Sequence, residues 1–113
     1  MSGITTHVLD ISRGLPASGV PVLLEIRSAA GWRELGRAET DIDGRARQLL
    51  PAGSPLQPGT YRLTFGIETY FRARGIEGFY PEASIVFHVR DADQHHHVPL
   101  LLSPYGYSTY RGS

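Results

Sequence analysis

The chain has 113 residues with eleven basic and eleven acidic side chains and a formal net charge of zero, so the basic stripe of a nucleic-acid binder is missing. All eleven basic residues are arginine and there is no cysteine, which excludes Schiff-base chemistry on a lysine, thiol catalysis, disulfides and cysteine-held zinc. A 41% hydrophobic share is too apolar for disorder, and the length allows one domain, residues 1–113, whose small core would gain from oligomerisation.

The opening MSGITTHVLD lacks the basic and apolar regions of a secretory leader, and no apolar run approaches the roughly 18 residues of a membrane span. The expected location is the cytoplasm, with no membrane partner. Ile4–Asp10 alternates apolar and polar residues and runs into the turn signal Ser12-Arg13-Gly14-Leu15-Pro16. A strand rich in β-branched and aliphatic residues is expected over 20–27. Gly31 breaks the chain before a weaker strand over 32–39. Asp41-Ile42-Asp43-Gly44 reads as a turn, because Asp-Gly accepts positive φ at low steric cost, and a short strand over 45–49 should follow.

Pro51 to Pro55 and Pro58-Gly59 bracket a loop. In the next strand, over 60–66, Tyr61, Leu63 and Phe65 fall on one face at period two. The run 68–74 has no breakers, so it reads as a helix of about two turns with Gly75 as its C′ residue. Strands over 84–89, 95–102 and 105–110 complete the chain. About eight short strands with one brief helix predict an all-β, two-sheet sandwich, whose edges must be paired or covered.

Five histidines carry the most chemistry: His7, His88, His95, His96 and His97. Alternation places Thr5, His7 and Leu9 on one face of the first strand, and Thr6 and Val8 on the other. It also separates His96 from His95 and His97. A His-x-His pair on a strand is one metal geometry, but catalytic zinc usually wants three protein ligands, and no third is visible. A solvated histidine cluster fits the same pattern. Arg45, straight after the Asp-Gly turn, presents a fixed planar cation suited to carbonyl oxygens, although a solvated surface arginine is the commoner reading of such a position. The C-terminus stays aromatic and β-prone through Tyr110, so it is expected to dock rather than fray. No Gly-x-Ser-x-Gly elbow, framed carboxylate pair or phosphate-binding glycine loop occurs.

At these residues the sequence resembles the 5-hydroxyisourate hydrolases, the enzymatic relatives of transthyretin. The matching stretches are Thr6-His7-Val8-Leu9-Asp10, Asp43-Gly44-Arg45, Phe79-Tyr80-Pro81-Glu82, the run from His97 to Pro104, and the terminal Tyr110-Arg111-Gly112-Ser113. They span essentially the whole chain, and the terminal motif is the most specific. The family commonly reads His-Tyr-His where this chain has His95-His96-His97; the substituted residue lies on the face away from His97.

The resemblance implies a transthyretin-like sandwich of eight strands and one short helix. It also implies a homotetramer, with dimers joined by edge strands and active sites at the dimer–dimer interface. By the same resemblance His7, Arg45 and His97 are the catalytic residues, while Tyr110, Arg111, Gly112 and Ser113 bind substrate. No cofactor and no metal are implied. The expected reaction is hydrolysis of a cyclic amide in 5-hydroxyisourate, in urate degradation, with histidine-assisted attack by water. A small-ligand carrier using the same central channel is the alternative.

Overall fold

The computed structural model describes residues 3–113. Its nine strands and one helix are β1 (Ile4–Asp10), β2 (Leu15–Pro16), β3 (Pro21–Ser28), β4 (Gly31–Glu39), β5 (Arg45–Ala46), β6 (Gly59–Phe65), α1 (Ile67–Arg72), β7 (Ala83–Val89), β8 (His96–Ser103) and β9 (Gly106–Thr109). One sheet has the order β2-β1-β8-β9, with β5 also paired to β1; the other has the order β4-β3-β6-β7. The sandwich is therefore all-β apart from α1. The pairing of β1 with β8 is parallel and joins strands far apart in sequence, with Thr5 opposite His97 and His7 opposite Pro99.

Strict alternation decides which side chains enter the core. Ile4, Val8, Val22, Leu24, Tyr61, Leu63, Phe65, Leu100 and Leu102 are all buried, while Thr5, His7 and Leu9 stay half-exposed on the outer face of the first sheet. Burying apolar area yields roughly 25 cal/mol per Å², so the two inner faces hold the sheets together. α1 caps one end by burying Ile67, Tyr70 and Phe71, the i, i+3, i+4 stripe of an amphipathic helix. It closes as expected around Gly75, at φ +68°: Ile76 N donates to Phe71 O at 3.0 Å and Gly75 N to Arg72 O at 3.1 Å, the paired bonds of a Schellman motif.

Tyr70 also anchors the one acid turned into the core. Its hydroxyl donates to Asp10 Oδ2 at 2.7 Å, and Ser12 N donates to Asp10 Oδ1 at 3.1 Å. Burial pushes the Asp10 carboxyl up, but the hydrogen bonds from Ser12 and Tyr70 outweigh it and hold the group below its usual range.

Two expectations change. The strand expected over 45–49 ends at Ala46. It runs antiparallel to β1, pairing Arg45 with His7 and Ala46 with Thr6, and leaves the ladder there although β1 extends to Ile4. Within the expected turn over 12–16, Leu15–Pro16 instead forms a two-residue strand against Leu9 and Asp10. Among the described residues β7 pairs only with β6 and β9 only with β8, leaving each with an unpaired edge.

Candidate active site

His7 projects from the middle of β1 beside a loop that grips it. Its Nε2 lies 2.8 Å from the Asp43 carbonyl oxygen. A carbonyl only accepts, so Nε2 carries the hydrogen and the neutral ring keeps Nδ1 as its acceptor. The loop is itself fixed: Asp41 Oδ1 accepts from Asp43 N at 2.9 Å and from Arg45 N at 3.0 Å, an Asx-type turn. Gly44, at φ +77°, completes it, and a Cβ there would sit 2.4 Å from the Val8 carbonyl oxygen. This tight crossing sets β5 against β1 and places Arg45 directly opposite His7.

His97 enters from β8, where the parallel ladder sets it opposite Thr5. Thr5 Oγ1 lies 2.8 Å from His97 Nδ1 and also 2.8 Å from His95 Nε2, which leaves Nε2 as the free nitrogen of the His97 ring. Burial lowers the proton affinity of His97, and the nearby charges of Arg45, His7 and His95 lower it further. The ring is therefore neutral at pH 7. Two imidazoles and a guanidinium from three strands thus face one another on the outer surface of the first sheet.

The C-terminus docks against this group. The β8–β9 register continues past the strand, with Gly112 N donating to His97 O at 2.8 Å. A Cβ on Gly112 would meet His97 Cδ2 at 2.6 Å, so the bare backbone of Gly112 lies against the imidazole. Continuing that register sets Tyr110 opposite Pro99 and Arg111 opposite Val98. Tyr110 is 57% exposed, and Ser113 is exposed at the chain end. The exposed Arg111 guanidinium donates to Gln94 Oε1 at 3.0 Å, just before β8, and its charge acts on His96.

His96 is 4% exposed, its Nδ1 has no hydrogen-bond partner, and burial, followed by the Arg111 charge, lowers its proton affinity. It borders a cavity of about 250 Å³ between β7 and the end of β9. Of the seven residues singled out in sequence, the structure thus brings His7, Arg45, His97 and Gly112 together and leaves Arg111 exposed, bonded to Gln94.

Chemically, the group offers one ring nitrogen on each histidine that is not engaged by a neighbour, with an arginine paired opposite His7 through the backbone. That is equipment for moving protons and stabilising negative charge at a carbonyl oxygen. Among the described residues no group of three or more histidine, aspartate or glutamate side chains is arranged to hold a metal ion.

A family model described as HIUase/Transthyretin matches residues 4–112. The chain belongs to that family. It is 50% identical over 117 residues to the 5-hydroxyisourate hydrolase of Caulobacter vibrioides, covering 100% of both chains. Among solved structures, Klebsiella pneumoniae 5-hydroxyisourate hydrolase superposes with a TM-score of 0.86 at 38% identity, covering 100% of this chain and 94% of that one. Transthyretin from Sparus aurata superposes with a TM-score of 0.89 at 28% identity, covering 99% and 97%. The fold is thus common to hydrolase and transthyretin members of the family, and the backbone alone does not separate them.

Two contributors escaped sequence reasoning, and a third was named there without its steric role. Thr5 carried a usable signal, since alternation puts it on the His7 face, but its reach to His97 depends on the parallel pairing of β1 with β8. The Asp43 carbonyl carries none, because any residue supplies one. Gly112 belongs to the terminal motif, yet its steric role against His97 exists only once the tail folds back.

Proposed function

We propose that this protein hydrolyses 5-hydroxyisourate to 2-oxo-4-hydroxy-4-carboxy-5-ureidoimidazoline in urate degradation, through residues His7, Arg45 and His97. The observation that carries this reading is the pairing of two imidazoles, each tied at one ring nitrogen and free at the other, with an arginine fixed opposite His7. The names of the relatives point to the same substrate.

Water attacks the C6 carbonyl and the N1–C6 bond breaks. The water loses one proton, and N1 gains one as it leaves. His7, whose Nε2–H is committed to Asp43, accepts the proton from water at Nδ1. His97 donates to N1 from Nε2. Arg45 orients the ring and stabilises the charge developing on the carbonyl oxygen. General acid–base catalysis of this kind typically supplies about 10²–10⁴-fold, and orientation supplies the remainder. Tyr110, Gly112 and Ser113 shape the pocket from the C-terminal side. Arg111, turned toward Gln94, fits this role least well.

The proposal extends to the assembly and its setting. Residues 1–113 act as one hydrolase domain, in the cytoplasm. The unpaired edges of β7 and β9 suit dimerisation by strand pairing, and two dimers meeting through the outer face of the first sheet would enclose the His7 and His97 groups. Light scattering should report a tetramer, and cell fractionation checks the location.

Ring opening is followed by the decay of freshly made substrate absorbance against its spontaneous loss. His7→Ala, Arg45→Ala and His97→Ala should each bring the rate near background. Full activity in all three would remove the site assignment. A small-ligand carrier would instead bind an aromatic ligand saturably and leave the substrate decay unchanged.

A further inference from the structure

Thr5 Oγ1 sits 2.8 Å from an imidazole nitrogen on either side, Nε2 of His95 and Nδ1 of His97. A hydroxyl has one proton to give. When it donates to one ring it must accept from the other, so the protonation states of the two facing nitrogens are complementary. The two ends also differ in surroundings: His97 is half-buried among His7, Arg45 and Gly112, whereas His95 is exposed. Nothing in the ring-opening scheme above uses Thr5 or His95.

We propose that Thr5 and His95 form with His97 a proton relay that connects the half-buried imidazole to solvent, with Thr5 as the hydroxyl bridge and His95 as the outer terminus. The relay rests on the hydrolase reading above and adds two positioning residues to it.

In the resting arrangement His95 Nε2–H donates to Thr5 Oγ1, the Thr5 hydroxyl donates to His97 Nδ1, and His97 holds its own proton on Nε2. As the C6–N1 bond breaks, the Nε2–H bond of His97 breaks and an N1–H bond forms. The Thr5 proton moves to His97 Nδ1, and the His95 Nε2 proton moves to Thr5 Oγ1. Three bonds to hydrogen break and three form. His95 takes up a solvent proton at Nδ1 and stays neutral. His97 passes from one neutral tautomer to the other without becoming an imidazolium.

That resolves a tension in the site. Burial and the neighbouring charges of Arg45, His7 and His95 all disfavour a doubly protonated His97, so little of the ring is in the imidazolium form that could donate without a relay. A tautomer switch lets it donate while neutral.

Thr5→Val keeps the shape and removes the hydroxyl, Thr5→Ser restores it, and His95→Ala removes the outer terminus. Thr5→Val and His95→Ala should lower kcat about ten- to a hundredfold with KM little changed. Thr5→Ser should retain most of the rate, and added imidazole should rescue His95→Ala but not Thr5→Val. Independently of turnover, the ring nitrogen NMR shifts of His97 should report a single favoured tautomer in the wild type and a mixed one in Thr5→Val. Unchanged kcat with unchanged His97 shifts in Thr5→Val would overturn the relay, as would a loss confined to KM. A wild-type chain that fails to accelerate ring opening yet shows the tautomer change would sink the hydrolase reading and leave the hydrogen-bonded chain standing.

Discussion

Replacing Gly112 with alanine tests the geometry of the site with one carbon atom. The new Cβ would lie 2.6 Å from His97 Cδ2, 3.3 Å from Cγ and 3.4 Å from Cβ. Carbon atoms pack at about 3.5–4.0 Å, so the shortest contact is roughly 0.9 Å too close, and either the ring or the tail must move by about that amount. The backbone offers no separate objection, because Gly112 is not among the positive-φ glycines.

If the ring yields, its Nδ1 leaves Thr5 and its Nε2 shifts in the cavity; a misplacement of about 1 Å can cost on the order of 10²-fold in rate. If the tail yields, the 2.8 Å bond from Gly112 N to His97 O is lost, at about 0.5–1.5 kcal/mol, and the pocket opens on that side. Both routes lower kcat while leaving the sandwich core intact, so the thermal midpoint should move by only a few degrees. The assay is the initial rate of substrate absorbance decay together with a melt. Gly106→Ala, at the start of β9, is the control, since its nearest neighbour would be Ser103 Oγ at an ordinary 3.7 Å. Wild-type kcat and KM in Gly112→Ala would refute the claim that this close approach positions His97.

Gly44→Ala combines a positive φ with a 2.4 Å contact to the Val8 carbonyl, so it should cost about 2 kcal/mol or more and displace Arg45. Thermal melts and the rate assay should fall together. Tyr70→Phe removes a hydrogen bond to a buried carboxylate, worth about 1.5–3 kcal/mol. Because the Asp10 carboxyl is held below its ordinary 3.8, its contribution is present above that pH and is lost as pH falls through the folded value. The variant should therefore unfold at higher pH in an acid titration followed by circular dichroism. His96, held below its ordinary 6.5 mainly by burial, works with the same sign. Between its folded value and 6.5 the unfolded chain binds more protons, so stability declines as pH falls below 6.5. His96→Phe should flatten that decline in denaturant titrations between pH 7 and 5, and by removing the unpartnered Nδ1 it should not weaken the fold at pH 8.

Much of this molecule was legible in the linear sequence because strand periodicity is local. Period two alone put Tyr61, Leu63 and Phe65 on one face, Thr5 and His7 together on another strand's face, and His96 away from His97, as the structure has them. Gly44 and Gly75, both at positive φ, marked the turn before β5 and the end of α1, since a side-chain-free residue is the cheap solution at such angles. The terminal motif and the histidines identified the candidate site through resemblance.

Only the tertiary structure decided how distant pieces meet. The parallel pairing of β1 with β8 brings Thr5 between His95 and His97, and the continuation of β9 lays Gly112 on the His97 ring while turning Arg111 toward Gln94. Alternation says which face a side chain takes, but register between strands some 90 residues apart in sequence, as Thr5 and His97 are, is set by the packing of the whole sandwich. The hydrogen bonds that fix the tautomers of two imidazoles exist only after that packing is complete.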